Sequence, residues 1–320
     1  MMPLMTICRM LVLLLIACAV VHGVARADGI IVHDARDRDI RIANPARIVS
    51  IGGAITEILY ALGFEDRLAG VDATSLFPPA ALRDKPNVGY WRQLSAEGVL
   101  GLNPSLVLAM QGSGPKETIE VLDAAKVPLV MVPETFSEQG LLDKIALVGQ
   151  AMDAGPRTEC LTRAVTADLA QLRELRGKVV TPVRVMFVMS LLNGRAMAAG
   201  KNTAANEIIR LAGAINAIDG YEGYKPINDE AIIAAKPDVV LSIARGKDSV
   251  EADAVFAHPA FALTPAAGNK AFISMEGLYL LGFGPRTAAA ARDLSLKLYP
   301  GLAPQAEHFK LAALSADCRK

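Results

Sequence analysis

Aromatic residues make up only 5% of this 320-residue chain, and a single tryptophan, Trp91, is among them. Charge of one sign is lacking too, since 33 Lys+Arg meet 33 Asp+Glu. A nucleic-acid binder needs a cationic footprint, so that class is excluded and no nucleic-acid partner is expected. Cysteine is scarce at four, and no C-x-x-C occurs, which removes a thiol zinc site. Four histidines, far apart, make no metal cage. The signatures G-x-S-x-G and H-E-x-x-H are absent. Gly194–Lys201 falls short of a phosphate loop, because five residues separate Gly194 from Gly200 and Asn202 follows the lysine. Gly112-Ser113-Gly114-Pro115 is a tight turn rather than G-x-G-x-x-G. No base–nucleophile pair emerges, so the chain is read as a non-enzyme, with an enzyme of unfamiliar type as the weaker alternative.

Long apolar runs are missing as well, except at the N-terminus. Arg9 precedes an apolar stretch from Met10 to Val21, followed by Ala25-Arg26-Ala27. A basic start, a 12-residue apolar stretch and an A-x-A site predict a secretory signal over residues 1–27, cleaved before Asp28. Twelve residues are too few to cross a bilayer core of about 30 Å. Leu15-Ile16-Ala17-Cys18 resembles a lipobox, but Ala19-Val20-Val21 continue the apolar run, so a soluble periplasmic product is preferred over a lipoprotein. Cleavage leaves 293 residues, 31 bases against 33 acids, and two cysteines. Those two, Cys160 and Cys318, either pair in the oxidising compartment or stay as separate thiols.

What the chain does have is alternation. After a hairpin (Ile30–His33, Asp39–Ile42), apolar runs at 47–51, 68–71, 106–110 and 129–132 alternate with helical stretches, the mark of βα units on a parallel sheet. From Arg157 to Arg176 the pattern turns helical, with Leu161, Val165, Leu169 and Leu172 on one face. The βα alternation then resumes at 183–189, 204–212, 239–243 and 271–275, and a last helix covers 286–298. Moreover, SAEGVLGLNPSLVL (95–108) aligns with NDEAIIAAKPDVVL (228–241) at an offset of 133. TEILYALG (56–63) aligns with NEIIRLAG (206–213) at an offset of 150. Each longer copy starts with a capping residue, carries Glu in the first turn, and reaches a strand after Pro. The predicted fold is therefore α/β: two Rossmann-like lobes with central sheets, joined by one long α-helix, with a ligand cleft between them. The boundaries are 28–154 for the N-terminal lobe, 155–177 for the connecting helix and 178–320 for the C-terminal lobe. A continuous helix resists bending, so lobe closure should be small. An exported two-lobed protein without a catalytic set is most simply a solute-binding protein.

One loop stands out: Asn87-Val88-Gly89-Tyr90-Trp91-Arg92-Gln93-Leu94, directly ahead of the first repeated helix. Tyr90 is either an aromatic covering the loop or a hard oxygen ligand for Fe(III), with Arg92 two residues on to offset the phenolate charge. Together with RIVSIGGAITEILYALG (47–63), VGYWRQLSAEGVL (88–100), NPSLVLA (103–109), AMAAGKNTAANEII (196–209), GYKPIN (223–228) and LYLLGFGPRT (278–287), the chain from Arg47 to Pro300 resembles the periplasmic haem-binding proteins of bacterial haem-uptake ABC transporters. These belong to the helical-backbone class that also carries siderophores and cobalamin.

The resemblance implies haem b as the transported ligand, Tyr90 as the axial iron ligand and Arg92 beside the propionates or that ligand. It implies that Arg245, on the second lobe, hydrogen-bonds the tyrosinate. Glu97 and Glu230 match the acidic pair that docks on a dimeric permease with its ATPase subunits; both also read as first-turn glutamates stabilising their helices. An outer-membrane haem receptor would act upstream, and the carrier is expected to be a monomer. Some relatives stack two haems through a second-lobe histidine, whereas Met189–Arg195 here has none, so one haem is expected. Leu191, Leu192, Met275 and Leu278 are candidates for apolar walls, with a core role equally open to each. Lys225 either reaches a propionate or faces water. A siderophore or cobalamin carrier is the alternative within the class.

Overall fold

The computed structural model describes residues 29–319. The export signal at 1–27 and the lipobox Cys18 lie outside the described residues. A hairpin of β1 (Ile30–His33) and β2 (Asp39–Ile42) opens the chain. The first lobe is a four-stranded parallel sheet of β3 (Ile48–Ile51), β4 (Leu68–Val71), β5 (Leu106–Met110) and β6 (Leu129–Val132), in the order β4-β3-β5-β6. Burial on both faces explains its unbroken Val/Ile/Leu runs.

The second sheet holds β7 (Arg184–Leu192), β8 (Arg195–Ala199), β9 (Ile215–Asn216), β10 (Tyr224–Ile227), β11 (Val239–Ala244) and β12 (Phe272–Glu276). Its order is β10-β8-β7-β11-β12, with β9 on β7. The strands read from the alternation, β7, β11 and β12, are parallel, while β8, which the alternation does not reveal, runs antiparallel to both β7 and β10. The cause is local. Asn193 and Gly194 both take positive φ (51° and 70°), and this two-residue Asn-Gly turn folds β8 back on β7.

Between the lobes runs the Gly155–Arg176 helix. Its predicted stripe, Leu161, Val165, Leu169 and Leu172, is buried in one apolar cluster that also takes in Ile55 and Ile145 of the first lobe and Ile208 and Leu241 of the second. Two smaller clusters lie on the other faces of the two sheets, around Val49 and Val107 and around Met186 and Val240. The lobes thus share a core.

Ionic ties reinforce that junction. Glu57 accepts from the Arg286 backbone N–H at 3.1 Å and from its guanidinium at 3.0 Å, at 5% overall exposure. The tail after the Thr287–Leu298 helix crosses back over the connecting helix. Asp168 accepts from Ala312 N and Ala313 N, Cys318 is bonded to Cys160, and Arg319 meets Glu65 of the first lobe at 3.1 Å. The disulfide decides between the two options left open for these cysteines. Among the described residues no helix is long and apolar enough to cross a membrane.

Candidate functional site

The Tyr90 loop is pinned beyond the carboxyl ends of two strands of the first sheet, β4 and β5, which flank β3. Gly89 O accepts from Ala73 N just beyond β4, while Gly114 N donates to Trp91 O and Leu94 N to Gly114 O just beyond β5. Ligand crevices of α/β sheets lie outside such strand ends. Gly89 has φ +94°, a conformation costly for a side chain, and it turns the chain immediately before Tyr90. Tyr90 is 41% exposed, edge-on to Trp91 with ring centroids 6.2 Å apart. The Arg92 guanidinium lies over the Trp91 ring at 4.3 Å, a cation–π contact at the loop's edge.

Glu134, which follows β6, stands near enough for the Arg92 charge to act on it, and its partner Lys144 lies on the Glu138–Ala151 helix. Lys144 is fully buried; its ammonium donates to Glu134 Oε1 at 3.2 Å and to the Phe283 carbonyl of the second lobe at 3.3 Å. Burial pushes the Glu134 carboxyl up, against the pull of the Lys144 and Arg92 charges. The second lobe contributes Phe283, whose ring meets Phe136 edge-on at 5.3 Å, and Tyr224 on β10. Burial raises the Tyr224 phenol, opposed by the Ala205 N–H and Thr203 hydroxyl beside it and by Arg92 across the crevice.

Tyr90 and Arg92 therefore share one loop, and Arg92 stands close enough to Glu134 and Tyr224 for its charge to act on both. Among the described residues no hydrogen bond, ion pair or ring contact joins the other predicted residues to this loop. Arg245, at the end of β11, donates to the Met189 carbonyl at 2.7 Å and is held by its own lobe. Lys225 stands over the Tyr221 ring at 5.2 Å, on the strand face opposite its neighbour Tyr224. Leu191 packs on the second lobe's smaller cluster, and Leu192 at the hairpin tip is 69% exposed. Met275, paired with Ile243, is buried in the shared core.

Glu97 and Glu230 sit in equivalent places. Ser95 caps the Ala96–Leu100 helix by accepting from Gly98 N, and Asn228 caps the Asp229–Ala235 helix by accepting from Ala231 N. Both glutamates are exposed in their first turns. The strands that follow, β5 and β11, are interior strands of their sheets, so the repeat is structural as well as textual.

Sequence reasoning overlooked Tyr224, Glu134 and Lys144. A signal for Tyr224 was present: Gly223-Tyr224 lies four residues ahead of the cap Asn228 as Gly89-Tyr90 lies five ahead of Ser95. Gly223 also takes positive φ, at +79°. Glu134 and Lys144 carry no comparable pattern. A groove of about 630 Å³ beside the start of the connecting helix, lined by Gln150, Asp153, Thr158 and Arg163 among others, includes none of these residues and no tyrosine, histidine, cysteine or methionine. Among the described residues no cluster of three or more His, Cys, Asp or Glu could hold a bare metal ion.

Comparison with known proteins gives the same direction. The family model described as "Periplasmic binding protein" matches residues 48–277. The chain is similar to the periplasmic heme-binding protein RhuT from Roseiflexus sp. RS-1, at 40% identity and TM-score 0.76, covering 80% of this chain and 98% of that one. It is similar to the periplasmic heme-binding protein BhuT, solved with two hemes, at 39% identity and TM-score 0.75, covering 80% and 99%. The vitamin B12-binding protein of Pectobacterium atrosepticum is 26% identical over 275 residues, 82% of this chain and 93% of that protein.

Proposed function

Since the chain belongs to the periplasmic binding protein family, we propose that it captures haem in the periplasm and delivers it to an inner-membrane ABC importer. The observation that carries this reading is Tyr90: an exposed phenol on a glycine-turned loop at a crevice edge, with a guanidinium two residues away. Phenolate oxygen is a hard ligand suited to Fe(III), and a nearby cation favours the ionised phenol. The resemblance to RhuT and BhuT, both named as heme-binding proteins, supports haem over cobalamin.

In this reading residues 1–27 are a cleaved export signal, and the mature carrier comprises the lobes 28–154 and 178–320 on the 155–177 helix. Tyr90 ligates the iron and Arg92 offsets charge at the tyrosinate or a propionate. One haem is bound, because Met189–Arg195 offers no histidine for a second. Arg245 gives one guanidinium N–H to the Met189 carbonyl and keeps others for the tyrosinate, while Arg92 shares the loop of Tyr90. Glu97 and Glu230 dock the two lobes on a dimeric permease with ATPase subunits, and an outer-membrane receptor supplies the haem. The protein transports its ligand unchanged and catalyses no reaction.

The test is spectroscopic. Purified protein titrated with hemin should give a high-spin Fe(III)–tyrosinate spectrum, which Tyr90→Ala abolishes and Tyr60→Ala, a change in a buried helix residue, retains. A Tyr90→Ala protein with an unchanged hemin spectrum would overturn the ligand assignment. Tight binding of hydroxocobalamin with no hemin spectrum would favour the cobalamin reading.

A further inference from the structure

Glu134 has one oxygen committed and one uncommitted. Oε1 accepts from Lys144, while Oε2 is buried and has no hydrogen-bond partner. Such a group is costly to leave unsatisfied in a folded protein. Lys144 is buried and occupied by Oε1 and by the Phe283 carbonyl. Phe283 is a bulky, 2%-exposed residue at φ +48°, a backbone conformation that persists only where the surroundings enforce it. From the second lobe, Tyr224 stands near enough for the Glu134 charge to act on its phenol. The remaining cation near Glu134 is Arg92, whose guanidinium rests on the outer ring of Trp91.

We propose that Glu134 is a positioning residue of the cleft, its uncommitted oxygen serving as a second station for the Arg92 guanidinium. Arg92 then has two places to stand: over Trp91 at the rim, or inward on Glu134. The Glu134–Lys144 pair sets the balance between them, and the Phe283 carbonyl ties that pair to the opposite lobe. The cation available to an anionic ligand is thereby controlled by a carboxylate that does not itself touch the ligand. This rests on reading Arg92 as a cation of the haem site.

Two readouts test it. Trp91 is the sole tryptophan, so its emission, recorded without hemin, reports whether Arg92 is stacked on it. Glu134→Gln removes the inward station and should change that emission in the direction of more stacking; Lys144→Met, which leaves Arg92 as the cation acting on Glu134, should change it in the opposite direction. Both responses should vanish in an Arg92→Ala background. The hemin dissociation rate, measured with an excess of a haem scavenger, should change by about threefold or more on Glu134→Gln, the low end of coupling within one network. In the Arg92→Ala background the same substitution should have less than half that effect. Equal effects in both backgrounds, or emission changes of the same sign for the two variants, would overturn the proposal and leave Glu134 a structural partner of Lys144. Should the native protein show no tyrosinate spectrum, the haem reading fails, and the emission experiment still decides the Glu134–Arg92 link.

Discussion

The Cys160–Cys318 bridge joins residues 158 apart in sequence, so it restricts the unfolded chain over about half its length. In the chain-entropy treatment a loop of that size contributes about 5 kcal/mol at 25 °C. With an unfolding entropy of about 2.1 cal/mol/K per residue, that corresponds to a Tm drop of about 8 °C for a protein of this size when the bridge is removed. The folded state should survive, because the tail keeps its other anchors: Asp168 on Ala312 and Ala313, Gln171 on Lys310, and Arg319 on Glu65. The bridge lies on the connecting helix rather than at the Tyr90 loop, so the hemin spectrum should be unchanged. Calorimetry of the native protein with and without a phosphine reductant, alongside Cys160→Ser/Cys318→Ser, measures the effect. If both reduced and double-variant proteins melt within about 1 °C of the oxidised one, the entropic argument is refuted. A large drop with loss of the hemin spectrum would show instead that the tail's position governs the cleft.

Other expectations follow from the junction and the surface. Glu57→Ala leaves the Arg286 guanidinium, 12% exposed, without its carboxylate, and should cost about 3–5 kcal/mol by urea unfolding; a loss below about 1 kcal/mol would contradict the buried pair's role. The phenols of Tyr60, Tyr221, Tyr224, Tyr279 and Tyr299 are all raised by burial. Their stabilising contribution is complete below the unfolded tyrosine value of about 10 and is lost as pH rises through the higher folded values, so urea midpoints should fall as pH rises from about 10 to 12. Midpoints that stay level across that interval would show the phenols are not shielded. Glu97→Ala with Glu230→Ala should preserve the hemin spectrum but lower haem uptake in vesicles reconstituted with the importer, and charge reversal to Lys should lower it further. Full uptake by the double variant would leave them as ordinary helix-start glutamates.

The elements were legible where the physics is local. Apolar runs with both faces buried marked β3, β5 and β6, and the stripe of Leu161, Val165, Leu169 and Leu172 marked the connecting helix, because periodicity follows directly from backbone geometry. The repeat was readable too, since a cap, a first-turn Glu and a proline are local requirements that both copies satisfy with the same backbone bonds. The Tyr90 loop drew notice through composition, as the place of the sole tryptophan. The β7–β8 reversal was also written locally, in Asn193-Gly194, although alternation alone does not reveal it. What the chain could not disclose in one dimension was the meeting of distant groups. Lys144 finds Phe283 across 139 residues, Glu57 finds Arg286 across 229, and Cys160 finds Cys318 across 158. Arg245 turns to the Met189 carbonyl for the same reason: its partner is chosen by which strand lies beside it. Such pairings depend on how two lobes close on a shared core, and a buried charge takes whichever partner that packing brings within reach.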